Sequence, residues 1–279
     1  MRAAGVGSPR LDAELLLGEA MGCGRAALAA DPGAAVPAGA GRIFGEMVRR
    51  RLRREPVAYI LGRKGFRHIE LAVDRRVLIP RPETELLVEL ALELRPGTVL
   101  DVGTGSGAIA LAVADELPEC EVVATDTSTD ALKVATANAE RLGLSERVRF
   151  VEGTIPEGLV ARAAEGKGFD LILANLPYVP EGDWLSLQPE VTQWEPREAL
   201  LAGPDGLDAI RAFLTQLSRR VVTFHHIEGE SDHSTPALAL EVGEGQADAV
   251  AALLGKAGFD AIQRRPDLAG VERIVWGRR

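Results

Sequence analysis

The fold of this chain is decided by the stretch Thr98-Val99-Leu100-Asp101-Val102-Gly103-Thr104-Gly105-Ser106-Gly107. Its first half, residues 98–102, is typical of a strand that is buried on both faces of a parallel sheet. Residues 107–117 then have the composition of a helix. The glycines between them allow the backbone to turn sharply and to approach a ligand closely. This order of strand, glycine-rich turn and helix predicts the first unit of an α/β domain.

The same alternation continues on both sides of this stretch. Further strands are predicted at 121–125, 148–151, 170–174, 237–242, 259–264 and 271–276, and further helices at 84–94, 128–142, 157–165 and 205–217. Alternating strands and helices predict a parallel, doubly wound sheet with right-handed crossovers.

The N-terminal part of the chain has a different composition. Residues 1–56 predict a small helical domain, in which one helix follows Ser8-Pro9, residues 31–41 form a loop and a second helix ends at Glu55-Pro56. Residues 57–80 contain short strand-like pieces at 59–62, 71–74 and 77–79, and they predict a β-hairpin linker. Residues 81–279 are then the α/β domain.

Two acidic residues indicate what the glycine loop binds. Asp101 lies two residues before the first glycine, where it is well placed to meet a cationic amino group rather than a pyrophosphate. Asp126 ends the second strand, where an acid can bind a ribose diol. A glycine loop alone could serve a dinucleotide, S-adenosylmethionine or no ligand at all. The two acids favour S-adenosylmethionine.

A second motif, Asn175-Leu176-Pro177-Tyr178, follows the strand at 170–174. Open α/β sheets place ligands at the carboxyl ends of their strands. The Asn175 side-chain oxygen and the Leu176 backbone carbonyl could accept hydrogen bonds from a planar nitrogen, Pro177 could fix the turn, and Tyr178 could pack on the substrate plane. Such positioning can supply several kcal/mol of barrier reduction. The motif predicts methyl transfer to an amide or aromatic amine without a metal or general base; an ordinary turn is the alternative.

Stretches along essentially the whole chain resemble the bacterial PrmC/HemK family, the protein-(glutamine-N5) methyltransferases of peptide chain release factors. They are residues 8–16, 59–62, 78–85, the glycine loop, the motif at 175–178, residues 195–200 and residues 203–207. Arg81-Pro82-Glu83-Thr84-Glu85 together with the motif at 175–178 is highly specific. The resemblance implies a class I S-adenosylmethionine-dependent methyltransferase fold, which is Rossmann-like with a seven-stranded, mostly parallel sheet.

The resemblance also implies a substrate and a set of site residues. The substrate would be the glutamine of a Gly-Gly-Gln loop in a release factor, which the N-terminal domain helps to hold, and its side-chain amide nitrogen would be methylated. The cofactor-binding residues would be Asp101, Gly103, Thr104, Gly105, Ser106, Gly107, Asp126, Thr154, Ile155 and Asn175, and the catalytic and substrate-binding residues Asn175, Leu176, Pro177 and Tyr178, with Arg81. Arg81 could instead pair with Glu83 or Glu85.

Three departures from the family pattern lead to expectations of their own. Leu176 replaces the first proline of Asn-Pro-Pro-Tyr, so activity should survive with a less rigid turn. Thr154 stands where relatives usually have Asp, so a contact near the adenine end should be weaker or made by the backbone. Relatives usually have another helix before Ser8-Pro9, which a start codon assigned too late or a shortened domain would explain.

Composition limits the remaining classes of function. The net charge of −9 argues against direct binding of nucleic acid, and the basic run at 49–54 is predicted to be a solvated helix face. The two cysteines predict free thiols in a reducing compartment. Without a signal-peptide pattern or an apolar run of about 18 residues, a cytoplasmic protein with no membrane partner is expected, acting as a monomer.

Two questions remain open at this point. Residues 219–234 contain three of the four histidines, which raises a metal hypothesis, although a solvated loop with no metal site is the expectation. The main alternative functions are an amino-group methyltransferase of nucleic acid and a catalytically impaired protein that only binds the cofactor.

Overall fold

A computed structural model describes residues 1–155, 168–219 and 236–279 of the chain. The helix predicted at 157–165 and the histidine-containing stretch at 220–234 lie outside the described residues. Within the described ranges, no helix combines the length and the apolar character that crossing a membrane requires.

The helices and strands follow one another from a helical N-terminal part into an α/β part. The α-helices are α1 (Pro9–Met21), α2 (Arg25–Ala30), α3 (Ala38–Leu52), α4 (Val57–Leu61), α5 (Glu85–Leu94), α6 (Ala108–Glu116), α7 (Thr129–Leu142), α8 (Pro189–Trp194), α9 (Asp208–Arg219) and α10 (Ala247–Lys256). The strands are β1 (Arg63–Phe66), β2 (Ile69–Ala72), β3 (Thr98–Val102), β4 (Glu121–Asp126), β5 (Val148–Glu152), β6 (Leu171–Ala174), β7 (Ala237–Glu241), β8 (Asp260–Pro266) and β9 (Glu272–Arg278). Short 3₁₀ turns occupy Arg2–Ala4, Pro82–Thr84, Glu181–Ser186 and Arg197–Ala199.

Seven strands form the main sheet in the order β5-β4-β3-β6-β7-β9-β8. Strands β3 to β7 run parallel to one another, whereas β9 lies between β7 and β8 and is antiparallel to both. The predicted class I methyltransferase fold, with its mostly parallel sheet of seven strands, is confirmed. The chain leaves β3 towards β4 on one side and returns to β6 on the other, so the strand order reverses beside β3. Such a switch point is where doubly wound sheets bind ligands.

The sheet is covered on both faces, which explains the unbroken apolar runs of its central strands. In β6, Leu171 and Leu173 pack into the apolar cluster beneath α5, α6 and α7. Ile172 and Ala174 pack into the opposite cluster, beneath α9 and α10. All four residues are therefore buried, and the strand holds its carboxyl end rigidly against β3.

The N-terminal part follows the sequence-based expectations in outline. Helix α1 begins after Ser8 with proline in its first turn, and Gly22 ends it with φ 65°. The loop predicted at 31–41 is shorter than expected because α3 already begins at Ala38.

The strand predicted at 59–62 is wrong, because residues 57–61 form the short helix α4. Pro56 precedes this helix and Gly62 ends it with φ 72°, so the flanking residues outweigh the β-propensity of Tyr59 and Ile60. Strands β1 and β2 still form the predicted hairpin, but the piece predicted at 77–79 is not a strand. Instead, the backbone oxygen of Val77 accepts a hydrogen bond from the Tyr59 hydroxyl at 2.6 Å.

The basic run at 49–54 is not simply a solvated face. Arg51 is only 6% exposed, and it binds Asp12 of α1 and Glu190 of α8 at 2.7 Å each. Arg54 also binds Glu190. A buried charge is retained only when it is paired, so this run ties the N-terminal helices to the α/β part.

Candidate active site

A cavity of about 320 Å³ opens at the carboxyl ends of β3, β4, β5 and β6. This volume lies within the range of small-molecule sites, at roughly 300–1,000 Å³. Each of these strands contributes part of the wall because parallel neighbours end at the same edge of the sheet. The predicted site residues that line the cavity are Gly103, Gly105, Asp126, Thr154, Asn175, Leu176 and Pro177.

The glycine loop after β3 needs glycine for two different reasons. Gly105 and Gly107 have φ values of 57° and 85°, in the left-handed region. A Cβ atom on Gly107 would lie 2.8 Å from Leu111 Cδ1, whereas one on Gly105 would meet no heavy atom within 4 Å. Gly107 therefore leaves room for the Leu111 side chain, and Gly105 keeps space open at the cavity.

Asp101 lies beneath this loop and is fully buried. Its Oδ2 accepts hydrogen bonds from the Thr104 hydroxyl at 2.6 Å and from the Ala110 backbone N–H at 3.2 Å. Burial raises the pKa of Asp101 to about 7. Its Oδ1 has no hydrogen-bond partner in the described parts of the chain. Asp101 thus fixes the loop, and its contact with a cationic group stays a prediction.

The ends of β4 and β5 supply the opposite wall. Asp126 accepts hydrogen bonds from the backbone N–H groups of Gly105 at 2.9 Å and Ser128 at 2.8 Å, so it links the glycine loop to the start of α7. Thr154 lines the cavity, and its backbone oxygen accepts a hydrogen bond from the Thr125 hydroxyl at 3.1 Å.

Five of the predicted cofactor residues support the wall instead of forming it. They are Asp101, Thr104, Ser106, Gly107 and Ile155, none of which is among the residues that line the cavity. Ile155 packs in the apolar cluster beneath α9 and α10. A direct contact of these five residues with a cofactor stays a prediction.

Asn175 and Leu176 begin the motif after β6. Asn175 donates a hydrogen bond from Nδ2 to the Thr84 hydroxyl oxygen at 3.0 Å, so its carboxamide has a fixed neighbour on one edge. The Leu176 side chain is buried in the apolar cluster beneath α9 and α10. Packing of this side chain therefore restrains the turn where the family pattern has proline.

Tyr178 is held from three sides. Its hydroxyl donates a hydrogen bond to Glu241 Oε1 at 3.3 Å, and its backbone oxygen accepts one from Gln246 Nε2 at 2.9 Å. Gly206 has φ 75°, and a Cβ atom there would lie 2.2 Å from the Tyr178 backbone oxygen. Burial raises the pKa of Tyr178, so the phenol is neutral.

Arg81 binds neither of the two acids that its own segment offers. Its Nη2 contacts Glu195 Oε1 at 2.6 Å. Glu195 Oε2 accepts the backbone N–H of Ile79 at 3.0 Å. The pair holds the segment before α5 against the segment after α8, and a contact between Arg81 and the substrate stays a prediction.

Sequence reasoning assigned no role to Thr84, Gly206, Glu241 or Gln246. Thr84 and Gly206 lie inside stretches that carried the family resemblance. Glu241 ends β7 with an acid, which is the signal that identified Asp126 at the end of β4. The same rule, applied to every strand, would have found Glu241.

The chain is similar to known proteins along nearly its whole length. Residues 1–62 match the family described as PrmC N-terminal domain, and residues 95–222 match a methyltransferase domain. Proteins named release factor glutamine methyltransferase are 37% identical in Caulobacter vibrioides (99% of this chain, 92% of that one), 40% in Rhodopirellula baltica (98% and 90%) and 41% in Xylella fastidiosa (96% and 93%).

The fold is also similar to that of a solved structure. The hMettl16 catalytic domain in complex with MAT2A 3'UTR hairpin 6 superposes with a TM-score of 0.54 over 74% of this chain and 75% of that one. At 13% identity, this similarity shows a common fold.

Proposed function

Because this chain belongs to the release factor glutamine methyltransferase family, we propose that it methylates the side-chain amide nitrogen of a glutamine in a peptide chain release factor. The relatives support this proposal along almost their full length, and they confirm the family resemblance predicted from the motifs. The observation that carries the proposal is the position of Asn175, which lies on the wall of the same cavity as the glycine loop.

The cavity fits S-adenosylmethionine as the methyl donor. Asp126 presents a carboxylate to the cavity, and Asp101, which lies beneath the glycine loop, keeps one buried oxygen without a partner among the described residues. Gly103 and Gly105 keep the loop free of side chains at the same wall. When bound, the cofactor supplies a methyl group that is already activated by its sulfonium sulfur.

The protein's contribution to the reaction is to hold the glutamine amide. An amide nitrogen is a poor nucleophile because its lone pair is delocalised. The Nδ2 group of Asn175 is occupied by Thr84, which leaves Oδ1 to accept an N–H of the substrate amide. The Leu176 backbone carbonyl accepts the second N–H, and Tyr178 packs on the amide plane. Correct orientation makes methyl transfer effectively unimolecular, which can remove several kcal/mol of the barrier.

Recognition of the release factor beyond the glutamine would involve the N-terminal helices. The buried contacts of Arg51 with Asp12 and Glu190 hold these helices to α8, which begins at Pro189 in the segment after the motif at 175–178. A release factor that contacts both parts would therefore meet them in a fixed arrangement. Such an enzyme would act in the cytoplasm, because its substrate works on ribosomes.

The test uses the whole protein with labelled S-adenosylmethionine and either a purified release factor or duplex DNA. We expect label on the release factor, and mass spectrometry should locate it on the glutamine of the Gly-Gly-Gln loop. A release factor in which alanine replaces that glutamine is the matched control and should remain unlabelled. Label on DNA but not on the release factor would overturn the proposal.

A further inference from the structure

Behind the motif at 175–178, the Thr84 hydroxyl binds the Asn175 carboxamide and faces a buried glutamate at the end of β7. We propose that Glu241, acting through Thr84, is a positioning residue that determines which edge of the Asn175 carboxamide faces the cavity. This inference rests on the proposed function.

Thr84 is the link between the two residues. It is 4% exposed, and its Oγ1 accepts a hydrogen bond from Asn175 Nδ2 at 3.0 Å. A hydroxyl has one hydrogen to donate. The Glu241 carboxyl faces this hydroxyl. The hydroxyl lowers the pKa of Glu241, which is the effect expected of a hydrogen-bond donor.

Glu241 can receive that hydrogen. The residue is 1% exposed, and its Oε1 already accepts the Tyr178 hydroxyl at 3.3 Å. Its Oε2 is buried and has no hydrogen-bond partner within the described ranges. An unsatisfied buried oxygen is costly, which favours donation from Thr84.

The protonation state of Glu241 sets the direction of these hydrogen bonds. An ionised carboxylate can only accept, so Thr84 donates to Glu241 and accepts from Asn175 Nδ2. Asn175 Oδ1 is then on the edge that can accept an N–H of the substrate. A protonated Glu241 could donate to Thr84, which would turn its own hydrogen towards Asn175 Oδ1. The NH₂ edge of Asn175, which cannot accept, would then face the substrate amide.

This reversal should occur near neutral pH. Burial raises the pKa of Glu241 to about 7, and the charge of Glu83 acts in the same direction. The hydroxyls of Thr84 and Tyr178 and the charge of Arg273 oppose the rise. Turnover at saturating cofactor should therefore fall as the pH falls through about 7.

The first test compares Glu241→Gln with the unchanged protein from pH 6 to pH 9, using the release factor as substrate. Glutamine carries one acceptor and one donor at every pH, so it imitates the protonated acid. At pH 8, we expect kcat to fall about 10- to 100-fold, the size of effect that slight misplacement of a reacting group produces. The decline below pH 7 should disappear, and calorimetry should show nearly unchanged affinity for S-adenosylmethionine. An unchanged kcat at pH 8, or a decline that persists in the variant, would overturn the proposal.

Two variants of Thr84 test the link through this residue. They also keep the proposal testable if Glu241→Gln does not fold. Thr84→Val keeps the shape but removes the hydroxyl, whereas Thr84→Ser keeps the hydroxyl. The valine variant should lose kcat while the serine variant recovers most of it, and equal activities of the two would contradict the proposal. Failure of the unchanged protein to label the release factor would contradict the proposed function. Failure of this inference would appear instead as normal labelling by the unchanged protein with no effect of the variants.

Discussion

Among single side chains, Asn175 has the most direct part in the proposed reaction. Asn175→Ala removes both the acceptor oxygen and the donor to Thr84. Methyl transfer to the release factor should fall by at least about 100-fold, because orientation of the amide is lost. Affinity for S-adenosylmethionine should fall far less, since the other walls of the cavity remain. Calorimetry and single-turnover assays measure the two effects, and equal losses of both would show that Asn175 has a different role.

Leu176 gives a second prediction, because its buried side chain restrains the turn. Leu176→Ala should lower the free energy of unfolding by about 2 kcal/mol or more and should also lower kcat, since the turn loosens. Leu176→Pro, which restores the family pattern, should keep the backbone carbonyl of residue 176 in place and retain kcat. Urea titration and transfer assays on both variants measure this. An alanine variant with normal kcat would mean that the turn does not depend on this packing.

Which residues could be predicted depends on how local their signals are. Asp126, Gly105 and Asn175 line the cavity as expected because each follows a strand, and the ends of parallel strands meet. Thr84 and Glu241 are far apart in the chain and meet only after the sheet has formed. Their contact depends on where the turn before α5 crosses the end of β7, which no local pattern indicates.

Within the glycine loop, Gly107 is needed for packing and Gly105 for binding. Gly107→Ala should lower the free energy of unfolding by about 2 kcal/mol or more, because its Cβ would clash with Leu111 and its φ of 85° strains a side chain. Gly105→Ala should cost only about 1 kcal/mol for its left-handed backbone. Its methyl group would occupy open space at the cavity wall, so affinity for the cofactor should fall. Denaturation and calorimetry test both, and matching effects of the two variants would contradict these assignments.

The predictions of helices and strands succeeded where periodicity and end signals agreed. Helix α7 was found because an apolar stripe follows Ser128, whose hydroxyl accepts the Ala131 backbone N–H at 3.2 Å. At residues 57–61, β-branched and aromatic residues favoured a strand, but Pro56 and Gly62 fixed a helix. Helix α10 was missed, although its buried residues Ala247, Val250 and Leu254 have helical spacing.

For the whole molecule, two buried carboxyls should make stability depend on pH. Burial raises the pKa of both Asp101 and Glu241 to about 7, from reference values of 3.8 and 4.5. Their stabilising effect is complete below the reference values and is lost as the pH rises through about 7. The free energy of unfolding should therefore fall by a few kcal/mol between pH 5 and pH 8, since one pKa unit is worth about 1.4 kcal/mol.

Urea denaturation at several pH values measures this effect, and Asp101→Asn should reduce the slope. Carboxyls whose pKa is lowered by arginine partners, such as Glu116 and Glu190, act in the opposite direction but below about pH 4.5. Stability that rises between pH 5 and pH 8 would contradict the assignment.

The placement of β9 between β7 and β8 has a consequence for the synthesis of the protein on the ribosome. Strand β8 pairs with β9, and β9 pairs with β7, although both neighbours precede it in the chain. While residues 272–278 remain untranslated, β7 is an open edge, and Glu241 lacks its neighbour Ile274 across the sheet. A nascent chain can therefore complete its glycine loop early, but it can assemble the support of Asn175 only after the last of these residues has left the exit tunnel.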